Sequence, residues 1–335
     1  MTPSILQVHP TLRCNLRCAH CYSGSEPGLT AALPVGALQA AAADAARLGY
    51  GVLAVSGGEP LLYDPLPDLL AAARDAGLAT TMTTNGLLVG SRRFERCARS
   101  IGAVAVSVDG IGPTHDRMRG RRGAFAEVVE RTAVLREAGI PFGLIVTLTE
   151  ENWDQLEDVA DLAVDRGASL LQVHPLERAG RGEGCDGLVP SAATLGRAFV
   201  VVAALRARLG ARVHVQLDLL HRREVAERPD LVHATAPPEA ARLGDWLTTL
   251  VVEDDGSVAP VAYGFGARYR VGNVLHGSLA AAARRWSATR QAAFVALCGR
   301  LRDRLLADDG WRLVNWTEAA VRASAGLPVS PAPAA

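Results

Sequence analysis

The sequence predicts an α/β protein, a partial (β/α)6 barrel of the TIM type followed by a small α+β extension. Three observations lead there. Short apolar runs recur between residues 5 and 217, rich in β-branched residues and Leu and without strict alternation, as in parallel strands buried on both faces. Longer segments with helical spacing separate them. Four of those segments end in glycine, at 49, 77, 139 and 167, where a left-handed helix C-cap belongs.

In order, the strands are expected at 5–9, 51–56, 79–84, 103–108, 142–148, 169–174 and 212–217. Helices are expected at 34–49, 64–77, 124–139 and 152–167. Repeated units of this kind place chemistry at the C-terminal ends of the strands. A Gly-rich, charged stretch at 178–191 reads as a loop, and 221–245 as a polar, Pro-containing connector. Two strands around Asp255–Gly256 form a hairpin within 248–264, and helices follow at 278–296 and 299–324. The division is therefore a barrel over 1–220, an extension over 221–325 and a flexible tail over 326–335.

Composition narrows the function. With 35 basic and 35 acidic side chains in 335 residues, no net field gathers nucleic acid. No run of 18 apolar residues and no signal peptide stand out, so a soluble protein without a membrane role is expected. Three of the six cysteines fall within eight residues, which reads as a metal site in a reducing cytoplasm rather than a disulfide framework.

Those three are Cys14, Cys18 and Cys21, directly after the first strand. Thiolates suit zinc or an iron–sulfur cluster. Structural zinc takes four ligands, and here only His20 stands near enough in sequence to be a fourth. A cluster on three thiolates instead leaves one iron with an open position, which is a catalytic arrangement.

The C-x-x-x-C-x-x-C spacing behind a first strand resembles the radical S-adenosylmethionine (SAM) superfamily. The resemblance implies a [4Fe–4S] cluster on Cys14, Cys18 and Cys21, SAM chelating the fourth iron, and reductive cleavage of SAM to a 5′-deoxyadenosyl radical. "SGGEP" matches the element that receives the SAM amino group, carried here by Gly57, Gly58, Glu59 and Pro60. Glycines permit close approach and a carboxylate suits an ammonium group. Thr84 and Asn85 in "TTNG" and Ser107 and Asp109 in "SVDG" would line the ribose and carboxylate. Arg119, in "THDRMRGRRGAF", would fork onto the SAM carboxylate. Thr147 and Gln172 would reach the adenosine, and His20 would stack on the adenine. Taken alone, each short stretch is a turn or a solvated loop; their order at successive strand ends gives them meaning.

Residues 250–286 resemble the SPASM or twitch extension of the peptide- and cofactor-modifying branch, whose cysteines bind auxiliary clusters. Here the corresponding "APVAYGFG" has none. Cys97 on a helix, Cys185 in the Gly-rich loop and Cys298 between two helices are scattered. One cluster is therefore expected, with a degenerate extension serving as lid or substrate wall.

The function implied is hydrogen abstraction from a ribosomally made peptide, for crosslinking, epimerisation or thioether formation. The alternative is radical dehydration, decarboxylation or epimerisation of a sugar or nucleoside, and a third reading is a non-catalytic metal-binding scaffold. The chain starts close to its first strand, so a separate leader-peptide-binding protein is expected, with flavodoxin or ferredoxin as electron donor. Asp218 would take a proton or orient substrate, its rival role being a helix cap. Cys185 would donate a hydrogen atom if its loop folds over the barrel mouth.

Overall fold

The computed structural model describes residues 4–238 and 241–329. Strands and helices alternate: β1 (Ile5–Val8), α1 (Val35–Arg47), β2 (Val52–Val55), α2 (Leu66–Asp75), β3 (Ala79–Thr84), α3 (Arg92–Cys97), β4 (Ala103–Ser107), α4 (Pro113–Arg119), α5 (Ala124–Glu137), β5 (Phe142–Leu148), α6 (Leu156–Arg166), β6 (Leu170–Pro175), α7 (Ala192–Leu209) and β7 (His214–Leu217). Neighbours from β1 to β7 pair in parallel, giving six strand-to-helix-to-strand crossovers. The expected glycine caps hold: Gly49, Gly77, Gly139 and Gly167 all have positive φ.

Burial alternates along the strands, which corrects the reading of both faces as buried. In β6 Leu171 and Val173 are fully buried while Gln172 and His174 are half-exposed. In β7 Val215 and Leu217 are buried while His214 and Gln216 are exposed. One face therefore packs on the helices, and the other opens onto a lumen. The lumen rows are mostly small or polar: register aligns Ala54 with Thr81, Thr83 with Ala105, and, past the larger Ile145, Gln172 with Gln216. Thr and small residues satisfy strand propensity without filling the centre, so space is left for a ligand. On the helix side Leu6, Leu38, Leu53 and Leu69 are wholly buried, each stabilising by about 1.5–3 kcal/mol.

The extension joins this sheet. After β8 (Leu220–His221), α8 (Arg222–Glu227) and α9 (Leu243–Trp246), which break up the expected connector, comes β9 (Thr249–Val252). It lies parallel to β1, with Ile5 opposite Thr249 and Val8 opposite Val252. The hairpin to β10 (Ser257–Pro260) turns at Asp255–Gly256 as expected, and β11 (Gly272–Asn273) completes the edge. The sheet order is β11-β10-β9-β1-β2-β3-β4-β5-β6-β7, open between its two ends.

The C-terminal helices are α10 (Leu279–Thr289), α11 (Gln291–Ala307) and α12 (Trp316–Ser324), with β12 (Leu313–Val314) pairing with β8. Cys298 lies inside α11 and is fully buried, not between helices, because the break falls at Arg290 instead. Trp286 and Phe294 pack at 5.7 Å, and the Trp286 indole donates to the Tyr269 carbonyl. Buried Asp44 on α1 accepts from Ala280 N at 2.9 Å, fixing the start of α10. Of the expected tail, residues up to Val329 are described: Leu327 N bonds to the Arg322 carbonyl, and Val329 packs on the core. The remainder, 330–335, lies outside the described residues. The segment Asp186–Leu209, which contains α7, is long and apolar enough to cross a membrane by length and composition only. One face of α7 packs on the fold through Leu195, Ala198, Val202 and Leu205.

Candidate active site

The loop after β1 carries Cys14, Cys18 and Cys21, and its base is fixed by β2. Gly58 N donates to the Thr11 carbonyl and Glu59 N to the Arg13 carbonyl, both at 2.9 Å. A Cβ on Gly58 would stand 2.2 Å from Arg13 O, so no other residue fits. The glycine pair was expected to admit a ligand; it also admits the backbone of the cysteine loop itself.

Glu59 is 1% exposed and accepts from Thr84 Oγ1 at 2.8 Å, Asn85 N at 3.0 Å and Leu61 N at 3.3 Å. Burial raises its carboxyl to about 7 despite those bonds. It caps the short helix begun by Pro60. Asn85 reaches Asn15 at 2.7 Å and lies 3.8 Å from Cys14 Sγ. Thus "GGEP" and "TTNG", distant in sequence, meet beside the cysteines.

Each thiol has a donor close by. Leu16 N is 3.5 Å from Cys14 Sγ, Arg119 Nη1 is 3.9 Å from Cys18 Sγ, and Ser23 Oγ is 3.5 Å from Cys21 Sγ. Burial raises Cys14 to about 12 and lifts Cys18 as well, so loading a metal there expels protons. Among the described residues no three His, Cys, Asp or Glu side chains converge on one ion. Three thiols on one loop, each with a hydrogen-bond donor beside it, have the donor chemistry that an iron–sulfur cluster takes.

His20 does not supply a fourth ligand. It is buried, its Nε2 lies 3.3 Å from Asp109 Oδ2, and burial lowers it to about 4. Its ring is 8% exposed, with Nε2 turned toward Asp109. Asp109, fully buried after Ser107 at the end of β4, accepts from Thr147 N at 3.0 Å and receives the Asn152 amide on its carbonyl. Arg119 Nε stands 2.7 Å from Asp109 Oδ2, though not aligned as a hydrogen bond. Burial opposes ionisation of Asp109, but Arg119 and the neighbouring histidines keep it below the usual range. Arg119 is thus engaged by Asp109 and Cys18, and Thr147 meets the network through its backbone.

The loop after β6 clamps the cysteine loop. Arg181 donates to Cys18 O at 2.8 Å and Ser25 O at 2.7 Å. Gly180, at φ +55°, would place a Cβ 2.3 Å from Tyr22 O. Cys185 belongs to this clamp, its Sγ donating to Ala19 O at 3.4 Å. Cys97 ends α3 in the core.

Asp218 is no helix cap: His221 caps α8, and Asp218 accepts from Gln172 Nε2 at 2.6 Å, Gln216 Nε2 at 2.7 Å and His174 Nδ1 at 3.2 Å. His174 Nε2 lies 3.2 Å from Glu177 Oε1, which also accepts from Asn315 at 3.2 Å. Burial alone would lower His174, but the two carboxylates outweigh it and raise the ring to about 10. Gln172 is therefore held by Asp218 instead of standing free toward an adenosine. Sequence reading missed His174, Glu177, Gln216 and Asn315; the signal available was two-residue spacing at strand ends, Gln172/His174 and Gln216/Asp218. A cavity of about 380 Å³ adjoins this rim near Arg178, Pro190 and Glu318, and is lined also by Asn315. The thiols are not part of its lining.

Between the two rims stand three aromatic side chains. His9 stacks on Tyr263 of the extension at 4.8 Å, and Tyr22, next to Cys21, meets both edge-on. Tyr263 donates to Asp254 at 2.8 Å.

A three-thiol loop on β1, braced by strand-end turns in an open parallel barrel, defines a class of cluster-dependent radical enzymes. Residues 8–163 match the radical SAM superfamily, and the chain belongs to it. Members use a [4Fe–4S] cluster and SAM. The chain is 31% identical over 266 residues to PqqA peptide cyclase of Ruegeria pomeroyi, covering 77% of this chain and 67% of that protein. It is 33% identical over 196 residues to the AdoMet-dependent heme synthase of Methanosarcina barkeri, covering 56% and 55%. It thus spans about half the length of that relative. The fold is similar to that of anSMEcpe with bound AdoMet and Kp18Cys peptide, with TM-score 0.64, 17% identity, and 98% and 92% of the two chains covered.

Proposed function

We propose that the protein is a cytoplasmic radical SAM enzyme that modifies a ribosomally made peptide by hydrogen abstraction. The observation that carries the reading is the reach of the similarity to the peptide cyclase: it extends over 77% of the chain, whereas that to the heme synthase stops at 56%. Cys14, Cys18 and Cys21 would hold the cluster, which with SAM bound and an electron donor such as flavodoxin or ferredoxin would supply the hydrogen-abstracting radical chemistry.

The protein's own residues do the rest. Arg119, Asn85 and Ser23 set donors around the thiols. Glu59 and the Asn85 turn offer a carboxylate and backbone to an amino-acid head group. The aromatic wall of His9, Tyr22 and Tyr263 borders the lumen, where water must be kept from a reactive radical. We assign the barrel to 1–220 and the extension, as substrate wall, to 221–325, with a single cluster and a separate leader-binding protein.

A second reading, tetrapyrrole chemistry, is favoured by similarity to heme, pre-heme d1 and Fe-coproporphyrin III synthases. Anaerobic reconstitution followed by dithionite, SAM and candidate substrates tests both readings. The expectation is about four irons per chain, 5′-deoxyadenosine, and a mass change in a precursor peptide. No 5′-deoxyadenosine overturns the radical reading; turnover of iron-coproporphyrin but no peptide overturns the peptide one.

A further inference from the structure

Strands β6 and β7 project Gln172, His174, Gln216 and Asp218 onto the lumen face, with Gln172 opposite Gln216 in register. The loop after β6 returns Glu177 to the same point. These groups stay partly open: His174 is 33% exposed at its side chain, Asp218 20% and Glu177 19%.

Counting donors and acceptors decides what this surface takes. Both His174 nitrogens face carboxylates, so both are donors already in use. One carboxamide N–H of each glutamine is directed at Asp218. The spare capacity left is mostly acceptor: the carboxamide oxygens of Gln172 and Gln216, a lone pair on Asp218 Oδ1, and Glu177 Oε2. Two carboxylates against one imidazolium leave one negative charge. A carboxylate or phosphate would be repelled; a group rich in N–H would satisfy the open acceptors.

The location bears on substrate. The loop that carries Glu177 also reaches the cysteine loop: Arg181 N donates to Cys21 O at 3.0 Å, and Gly180 packs against the Tyr22 carbonyl. The hydrogen bonds to the thiols themselves come from Leu16, Ser23, Asn85 and Arg119, outside this network.

We infer that this network is a substrate subsite selecting a cationic, hydrogen-bond-donating group, the ammonium or guanidinium of a Lys or Arg side chain beside the residue to be modified. The inference rests on the peptide reading above and names the peptide's chemistry. It also separates the two readings, since coproporphyrin is a polycarboxylate.

The test is equilibrium binding to the reconstituted full chain without SAM or reductant, so that it stands or falls apart from radical chemistry. The probes are acetyl-Ala-Lys-Ala amide, acetyl-Ala-Glu-Ala amide and coproporphyrin III, titrated calorimetrically. The Lys peptide should bind at least tenfold more tightly than the Glu peptide, and Asp218→Asn and Glu177→Gln should each erase most of that ratio. Because these variants risk disturbing the network, Gln216→Ala, an exposed position, should weaken the Lys peptide while leaving the unfolding temperature unchanged. Equal binding of the two peptides, tighter binding of coproporphyrin III, or a ratio unaffected by all three variants overturns the subsite.

Discussion

The two rims of this barrel are built on different principles. Around β1 to β4, each functional element is a run of consecutive residues: the cysteine loop, Gly57 to Pro60, Thr84–Asn85 and Ser107 to Asp109. At β6 and β7, the functional cluster gathers Gln172, His174, Glu177, Gln216, Asp218 and Asn315 from three parts of the chain. The charge states diverge as well. Burial leaves His9 in the aromatic wall, and His20 and His115 beside Asp109 on the first rim, neutral at about 3, 4 and 4, while on the second rim two carboxylates hold His174 charged to about 10. On the first rim each contributing turn is a short local run, whereas the network proposed for substrate draws single residues from separate strands and a C-terminal helix cap.

The largest effect separates the rims outright. Cys14→Ala should abolish cluster incorporation and 5′-deoxyadenosine, measured by iron content and chromatography, whereas Cys97→Ala, in the core of α3, should retain both. Next, Gly58→Ala should destabilise the protein by about 1–3 kcal/mol or more, because its Cβ meets Arg13 O; denaturant unfolding of the unloaded chain checks it. Asp218→Asn should lower peptide product at least tenfold while iron content stays at the wild-type level. That result would show the second rim acting on substrate and not on the cluster.

The smallest effect is the most direct on charge. In histidine-labelled unloaded protein, the His174 ring should titrate near 10, and those of His9, His20 and His115 well below 6.5. The signs oppose each other. His174, raised on folding, contributes stability that is full below 6.5 and lost as pH rises toward 10; the three lowered histidines contribute stability above 6.5 that is lost as pH falls toward 4. A single midpoint shared by all four would erase the contrast.

Legibility in the sequence follows the same division. The strand positions, the glycine caps and the Asp255–Gly256 hairpin were readable because they depend on local backbone preferences. Cys14, Cys18 and Cys21 were readable by spacing. What was not readable depends on pairs far apart: Arg119 lying against Asp109 and Cys18, His20 turned inward, and Asp218 joined to His174 and Gln172 rather than capping a helix. The open lumen was also missed, since Thr and Ala on its face look like ordinary buried strand residues until alternation is seen in three dimensions.

The pairing of β9 with β1 has a consequence for synthesis. Ile5 finds its partner Thr249 only after most of the chain has left the ribosome. Until then the strand that launches the cysteine loop is an unprotected edge, a template for wrong partners. Such long-range closure is slow to form. Docking of β9 on β1 is therefore expected to precede stable loading of the cysteine loop. A chain cut before Thr249 should accumulate in aggregates and recover little cluster on reconstitution.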